Sequence, residues 1–312
     1  MGNTGIETRL IYGFLDAGKT TYIQDTILHD YFHKYGKTLV LCFEQGETEY
    51  DEQALSAYRT DVAYYEDGSD VTAFCLDAIS KFRPDRIYVE MNIMMDLPRE
   101  RFPAEMNITW SAAWFDWTTM GLYLANLKQH VSRMVKDCAQ VTFRGCPSKE
   151  LLSPYSQTFR MMNRTAVYLR QDPMGYHEKA FDLFLPYSLE DPVLEISARD
   201  HIALWLDAMD HPEHYTEKRI RFTDPLELRQ DAPVPGPNAG RVVMTCCMAD
   251  LQFMGFPLEC STSLPGAWIL LESSALIRED PYHRKYLCLQ VLRADPAKPP
   301  QDLILSTAAG VS

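Results

Sequence analysis

The pattern of apolar and polar positions changes texture near Asp172. Before it, short apolar runs of strand length alternate with longer stretches whose apolar residues recur at helical spacing. That is the pattern of a parallel sheet with crossover helices. The pattern predicts strands at 8–14, 38–43, 86–91, 139–143 and 166–169, and helices at 19–35, 69–82, 118–136 and 150–164. In the third of these helices Leu122, Leu127, Val131 and Val135 carry the spacing. Beyond Asp172 the chain is punctuated by Pro173, Gly175, Pro186 and Pro192, and the later apolar runs are short and alternating. Strands are predicted at 219–222, 241–248, 267–277 and 286–294, a Pro/Gly/Asn loop at 231–240, and either a strand or a short helix at 202–209. The expected second domain is small and mostly β, a barrel or a sandwich. With 312 residues, two domains fit better than one, and the boundaries predicted are 1–175 and 190–312.

Composition narrows the classes of partner. A net charge of −13, with no block of Lys and Arg to offset it, argues against nucleic acid. No stretch approaches the roughly 18 uninterrupted apolar residues of a membrane helix, so no membrane insertion is expected. The first nine residues hold Glu7 and no apolar run, unlike a secretory signal, and a cytoplasmic protein is the expectation. The eight cysteines then read as reduced thiols, with Cys42, Cys75 and Cys138 as small core residues.

The sharpest chemical signal lies between the first strand and the first helix. Gly13, Phe14, Leu15, Asp16, Ala17, Gly18, Lys19 and Thr20, with Thr21 following, match a phosphate-binding P-loop. Glycines let successive backbone N–H groups turn toward phosphates, and the helix that follows presents its positive end to them. In this pattern Lys19 reaches the β- and γ-phosphates and Thr20 offers its hydroxyl to Mg2+. Asp16 is unusual there, because a carboxylate facing phosphates needs a cation or must turn to solvent.

Hydrolysis also needs carboxylates at neighbouring strand ends. Glu90 closes one apolar strand, where an unpaired carboxylate is too costly to bury, and it stands where a magnesium-binding carboxylate belongs. Glu44, Glu47, Glu49 and Asp51 follow another strand end. Lys19, Glu47 and Glu90 are the catalytic candidates, and Thr20, Glu44 and Glu90 the magnesium candidates.

With GFLDAGKTT, EQGETEYDE and EMN in view, the first half resembles the CobW family of P-loop GTPases over roughly residues 8–170. The resemblance implies a parallel sheet with flanking helices, GTP as cofactor with ATP as the alternative, and coupling of hydrolysis to delivery of zinc, cobalt, nickel or a metal cofactor. It also implies a switch role for Glu44 and Glu47 and a metalloprotein partner. Where that family places its guanine-reading Asn after an apolar strand, Val141-Thr142-Phe143 is followed by Arg144, a residue able to stack on a base. The family's CxCC motif is missing from this half. The second half, through GRVVMTCCMADLQFMGF, resembles a bacterial β-domain that occurs beside predicted membrane permeases, which implies a permease partner.

Cys246 and Cys247 are adjacent in a predicted strand, and a zinc site there needs further ligands, with Cys260 the third candidate beside Asp250, His211 and His214. Two functional classes follow: a nucleoside triphosphatase that drives a switch, and a nucleotide-responsive accessory of a transport system with little turnover.

Overall fold

The computed structural model describes residues 5–29, 36–44, 46–95, 97–230, 234–261 and 264–306. Two compact units emerge. One takes the described residues up to Leu152 together with Thr165–Phe181; the other takes Ser153–Arg164 together with those from Asp182 onward. Residues 153–164, which helical spacing groups with the first half, therefore pack with the second unit.

The first unit is a parallel sheet with helices. Its strands are β1 (Ile6–Gly13), β2 (Thr38–Cys42), β3 (Thr60–Tyr64), β4 (Arg86–Asn92), β5 (Met106–Asp116), β6 (Gln140–Arg144), β7 (Val167–Gln171) and β8 (His177–Lys179). They lie in the order β3-β2-β4-β1-β5-β6-β7-β8, parallel except for β8, which runs antiparallel to β7. Helices α1 (Lys19–Ile27), α2 (Glu52–Ala57), α3 (Val71–Phe82), α4 (Trp117–Asn126) and α5 (Lys128–Lys136) connect them. The β1–α1 side of the sheet buries Ile11, Ile23, Ile27, Val40, Tyr88 and Trp114 in one apolar cluster.

Several expectations are revised. The helix predicted over 19–35 ends at Ile27, and 30–35 lie outside the described residues. The long helix over 118–136 is two helices, broken at Leu127, whose backbone leaves the helical region (φ −128°, ψ 31°). Sequence periodicity missed β5, although it lies beside β1 and buries Ser111, Ala112, Ala113, Trp114 and Phe115.

The second unit opens with α6 (Ser156–Met162), followed by β9 (Val193–Glu195) and α7 (His201–Asp210). Then come β10 (Arg219–Arg229), β11 (Gly236–Met244), β12 (Leu251–Glu259), β13 (Trp268–Glu279), β14 (Lys285–Pro296) and β15 (Ile304–Ser306). The ambiguous 202–209 segment is helical, and the segment read as a loop over 231–240 enters strand β11 at Gly236, residues 231–233 being outside the described ones. The sheet order is β15-β11-β12-β14-β13-β10-β9, and a further β10–β11 pairing closes five strands into a barrel around Ile220, Phe222, Phe256, Ile269, Leu271 and Leu289. Gly240 faces Gly255 across the β11–β12 pair; a Cβ on Gly240 would fall 2.2 Å from the Gly255 Cα, so the two strands approach more closely than any side chain permits.

Candidate functional site

Strand order explains how the polar groups of the first unit converge. Because β4 lies between β2 and β1, Glu90 is level with Cys42 on one side and Ile11 on the other, at the carboxyl ends of the strands. The loop from Gly13 to Thr20 leaves β1 at the same edge. Gly18 caps α1 in the left-handed region (φ 91°), open to glycine at no steric cost. At Gly13 a Cβ would come within 2.8 Å of the Trp114 carbonyl oxygen. Phe14 is buried and stacks on Tyr123, with ring centroids 3.7 Å apart, which anchors the loop; Ala17 is buried and Leu15 exposed.

Lys19 is buried at the start of α1. Its ammonium donates to the Phe14 carbonyl at 2.7 Å and forms an ion pair with Glu44. The Glu44 side chain is only 8% exposed, and its Oε2 is buried without a hydrogen-bond partner. Burial raises the Glu44 pKa, and the Lys19 charge opposes that rise. Thr20 donates its hydroxyl to Glu90 Oε1 at 2.7 Å, while Tyr50 donates to Glu90 Oε2 at 2.6 Å and the Cys42 thiol lies 3.6 Å from the same oxygen. Burial, then the Glu90 charge, holds the Cys42 thiol up at about 12, so it is no nucleophile at neutral pH. Tyr50 was not singled out from sequence. It lies within EQGETEYDE, eight residues past the end of β2, and nothing in its spacing alone marks a role.

Asp16 turns outward from the loop in a left-handed conformation (φ 59°), which Asp tolerates better than most residues. The Glu47 N–H points to its carboxylate at 3.4 Å, so Asp16 ties the P-loop tip to the 46–48 loop. Glu47 and Glu49 are exposed. Arg144, at the end of β6, lies against Gly18, where a Cβ would meet its side chain at 2.6 Å. The void enclosed by Asp16, Lys19, Thr21, Glu44, Thr48 and Arg144 is about 30 Å³, too small for a triphosphate. A larger cavity of about 310 Å³ adjoins Thr20 and is lined by Glu44, Glu49, Glu52, Tyr50 and Tyr64.

The oxygen donors fit a hard divalent cation. Thr20, Glu44 and Glu90 supply a hydroxyl and two carboxylates, and the spare Glu44 Oε2 is the kind of orphaned acceptor such an ion satisfies.

The cysteines of the second unit divide. Cys246 Sγ is 3.8 Å from Cys247 Sγ and 3.4 Å from Asp250 Oδ2. Burial raises the Cys246 thiol to about 11. Cys260 stands apart: β12 runs between it and Cys247, and nine residues at about 3.3 Å each amount to about 30 Å of strand. Among the described residues, the one group of three or more metal-type ligands gathered within 4.8 Å is His211, Glu213 and His214, all three exposed. His214 is oriented by Asp207, 2.9 Å from its Nδ1.

No protein-family model matches the chain, and no curated protein matches it. Solved structures do. The hydrogenase maturation factor HypB from Archaeoglobus fulgidus is 13% identical over 55% of this chain and 82% of its own, with a TM-score of 0.40. A Zn(II)-bound triple mutant of the YjiA GTPase is 18% identical over 55% of this chain and 58% of its own, with a TM-score of 0.36. The signal recognition particle receptor FtsY from Elizabethkingia anophelis is 12% identical over 44% of this chain and 50% of its own, with a TM-score of 0.31. Among the described residues no helix is long and apolar enough to cross a membrane.

Proposed function

We propose that the first unit binds a nucleoside triphosphate with magnesium and hydrolyses it, GTP being the first choice and ATP the second. The observation that carries this reading is the Thr20–Glu90 hydrogen bond, which joins the P-loop hydroxyl to the carboxylate of the adjacent strand. Two groups 70 residues apart meet where magnesium chemistry needs both.

The residues divide the work. The backbone N–H groups at the start of α1 receive the phosphates, and Lys19 leaves Glu44 to neutralise the transferred group. Glu44, freed from Lys19, would be available to hold the cation, while Tyr50 keeps Glu90 oriented. Magnesium, when bound to Thr20, Glu44 and Glu90, supplies positive charge to the phosphate oxygens. Glu47 or Glu90 orients the attacking water, and Arg144 lies within reach of the bound nucleotide's phosphates or base. The measurement is phosphate release with GTP and with ATP, beside Lys19→Ala. Release lost in Lys19→Ala supports the enzyme; no release from wild type with binding retained supports a nucleotide-responsive module. That second reading is favoured by one feature, the void of about 30 Å³ around a lysine already paired to Glu44.

A metal-linked role, with a metalloprotein or a permease as partner, rests on the sequence resemblances. The second unit offers two candidate metal groups, the Cys246–Cys247 pair, whose thiols lie 3.8 Å apart, and the exposed His211, Glu213 and His214. Zinc content should fall in Cys246→Ser and hold in His211→Ala; the reverse result assigns the metal to the histidines.

A further inference from the structure

The barrel of the second unit carries a cavity of about 400 Å³ that plays no part in triphosphate chemistry. Its place in the fold is informative. The five strands close in the order β10-β11-β12-β14-β13, with β12 and β14 parallel and the other pairs antiparallel. This is the connectivity of an OB-type barrel, whose ligands sit on the second and third strands between the first and fourth connections. The cavity occupies that position. Arg229 at the end of β10, Val234 between the strands and Asn238 early in β11 line it on one side, Phe253 and Gly255 line it from β12, and Asp280 and Arg284 from the β13–β14 connection with Lys285 at the start of β14.

Its chemistry runs against the rest of the molecule. In a chain of net charge −13, the lining holds Arg164, Arg229, Arg284 and Lys285 against the single carboxylate of Asp280. Asp280 is engaged by Arg284, whose Nε lies 2.8 Å from its Oδ2. Arg164 keeps one buried guanidinium nitrogen, Nη1, without an acceptor, although Asp210 lies 3.5 Å from its Nε. An aromatic platform completes the cavity. The Phe253 ring folds over Gly255, where a Cβ would come within 2.5 Å of it, and the Arg229 guanidinium caps the ring at 5.1 Å from its centroid. Tyr286 adds a second ring.

We propose that this cavity binds a nucleoside monophosphate, with the base against Phe253 and Tyr286 and the phosphate held by Arg229, Lys285 and Arg164. A void of this size suits one such molecule. The acidity of the whole chain repels a polyanionic strand while local cations hold a single phosphate, so the free nucleotide is the occupant rather than a nucleic-acid strand.

The test uses full-length protein carrying Lys19→Ala, in EDTA, so that the P-loop contributes nothing and a failure of the triphosphatase reading stays separate. Calorimetric titration with AMP should give saturable binding. The double variant Arg229→Ala/Lys285→Ala should weaken it by about tenfold or more. AMP should perturb backbone amide resonances of β12, of the 280–284 connection and of the start of β14, a readout that needs no variant to fold. No binding at millimolar AMP, equal binding in the double variant, or perturbations elsewhere would overturn the proposal. Inorganic phosphate binding as tightly as AMP overturns the role of the rings. A thymidine hexamer binding at least about tenfold more tightly than AMP overturns the mononucleotide in favour of a single strand.

Discussion

Lys19 rests against a carboxylate rather than in an open loop, and that pairing governs how the first unit should respond to substitution. Glu44→Gln removes the charge competing for Lys19 and one magnesium candidate together. Nucleotide affinity without magnesium should rise by about threefold to tenfold while phosphate release falls by about 10², read by fluorescence titration in EDTA and by turnover. Thr20→Ala should lower turnover by a similar factor, while Tyr50→Phe, which leaves both Glu90 oxygens in place, should cost less. In the second unit, His201 is buried with its Nδ1 2.9 Å from Asp224 and its Nε2 2.9 Å from the Met254 carbonyl. The Asp224 contact has the separation of an ion pair without the angle of a hydrogen bond. Burial pulls the His201 pKa down, but Asp224 and the carbonyl outweigh it, so the net shift is upward. The His201 contribution to stability is therefore complete below the unfolded value of about 6.5 and disappears as pH climbs through the higher folded value. Urea unfolding at several pH values should show the gap between wild type and His201→Gln narrowing as pH rises; a gap that widens would refute the assignment.

The same contrast between clear and hidden signals appears among the elements. The P-loop, β2 and β4 could be read directly, because fully buried parallel strands appear as unbroken apolar runs and the loop carries a spacing with a mechanism. Strand β5 could not, since Thr109 stays exposed and the buried Ser111, Ala112 and Ala113 are small or polar residues that are covered only after folding. Strand β12 was hidden by Gly255 and Pro257, which punctuate a sequence but sit here within the barrel wall. The site shows the same division. Glu90 is visible as a charge at a strand end, whereas Tyr50 and the Lys19–Glu44 pair depend on which strands become neighbours. The close approach of β11 and β12 is a further element-scale feature. Gly240→Ala should destabilise the second unit by about 1–3 kcal/mol, measured by thermal or urea unfolding.

At the scale of the whole molecule, each unit has its own apolar core, one in the helix-covered sheet and one inside the barrel. Calorimetry should resolve two unfolding transitions, and triphosphate with magnesium at about 100 times its dissociation constant should stabilise one of them by about 2.7 kcal/mol. A uniform shift of both would contradict separate cores. The clamp on Lys19 then has a meaning beyond the site. A helix N-terminus with an uncovered lysine attracts any small anion, inorganic phosphate and sulfate included. A loop that carries its own carboxylate answers only to a visitor that outcompetes an internal partner and also gives that partner a cation to bind. If the first unit binds triphosphate as proposed, the resting Lys19–Glu44 pair acts as a filter on ligand chemistry, turning away lone anions and admitting polyphosphate together with its metal.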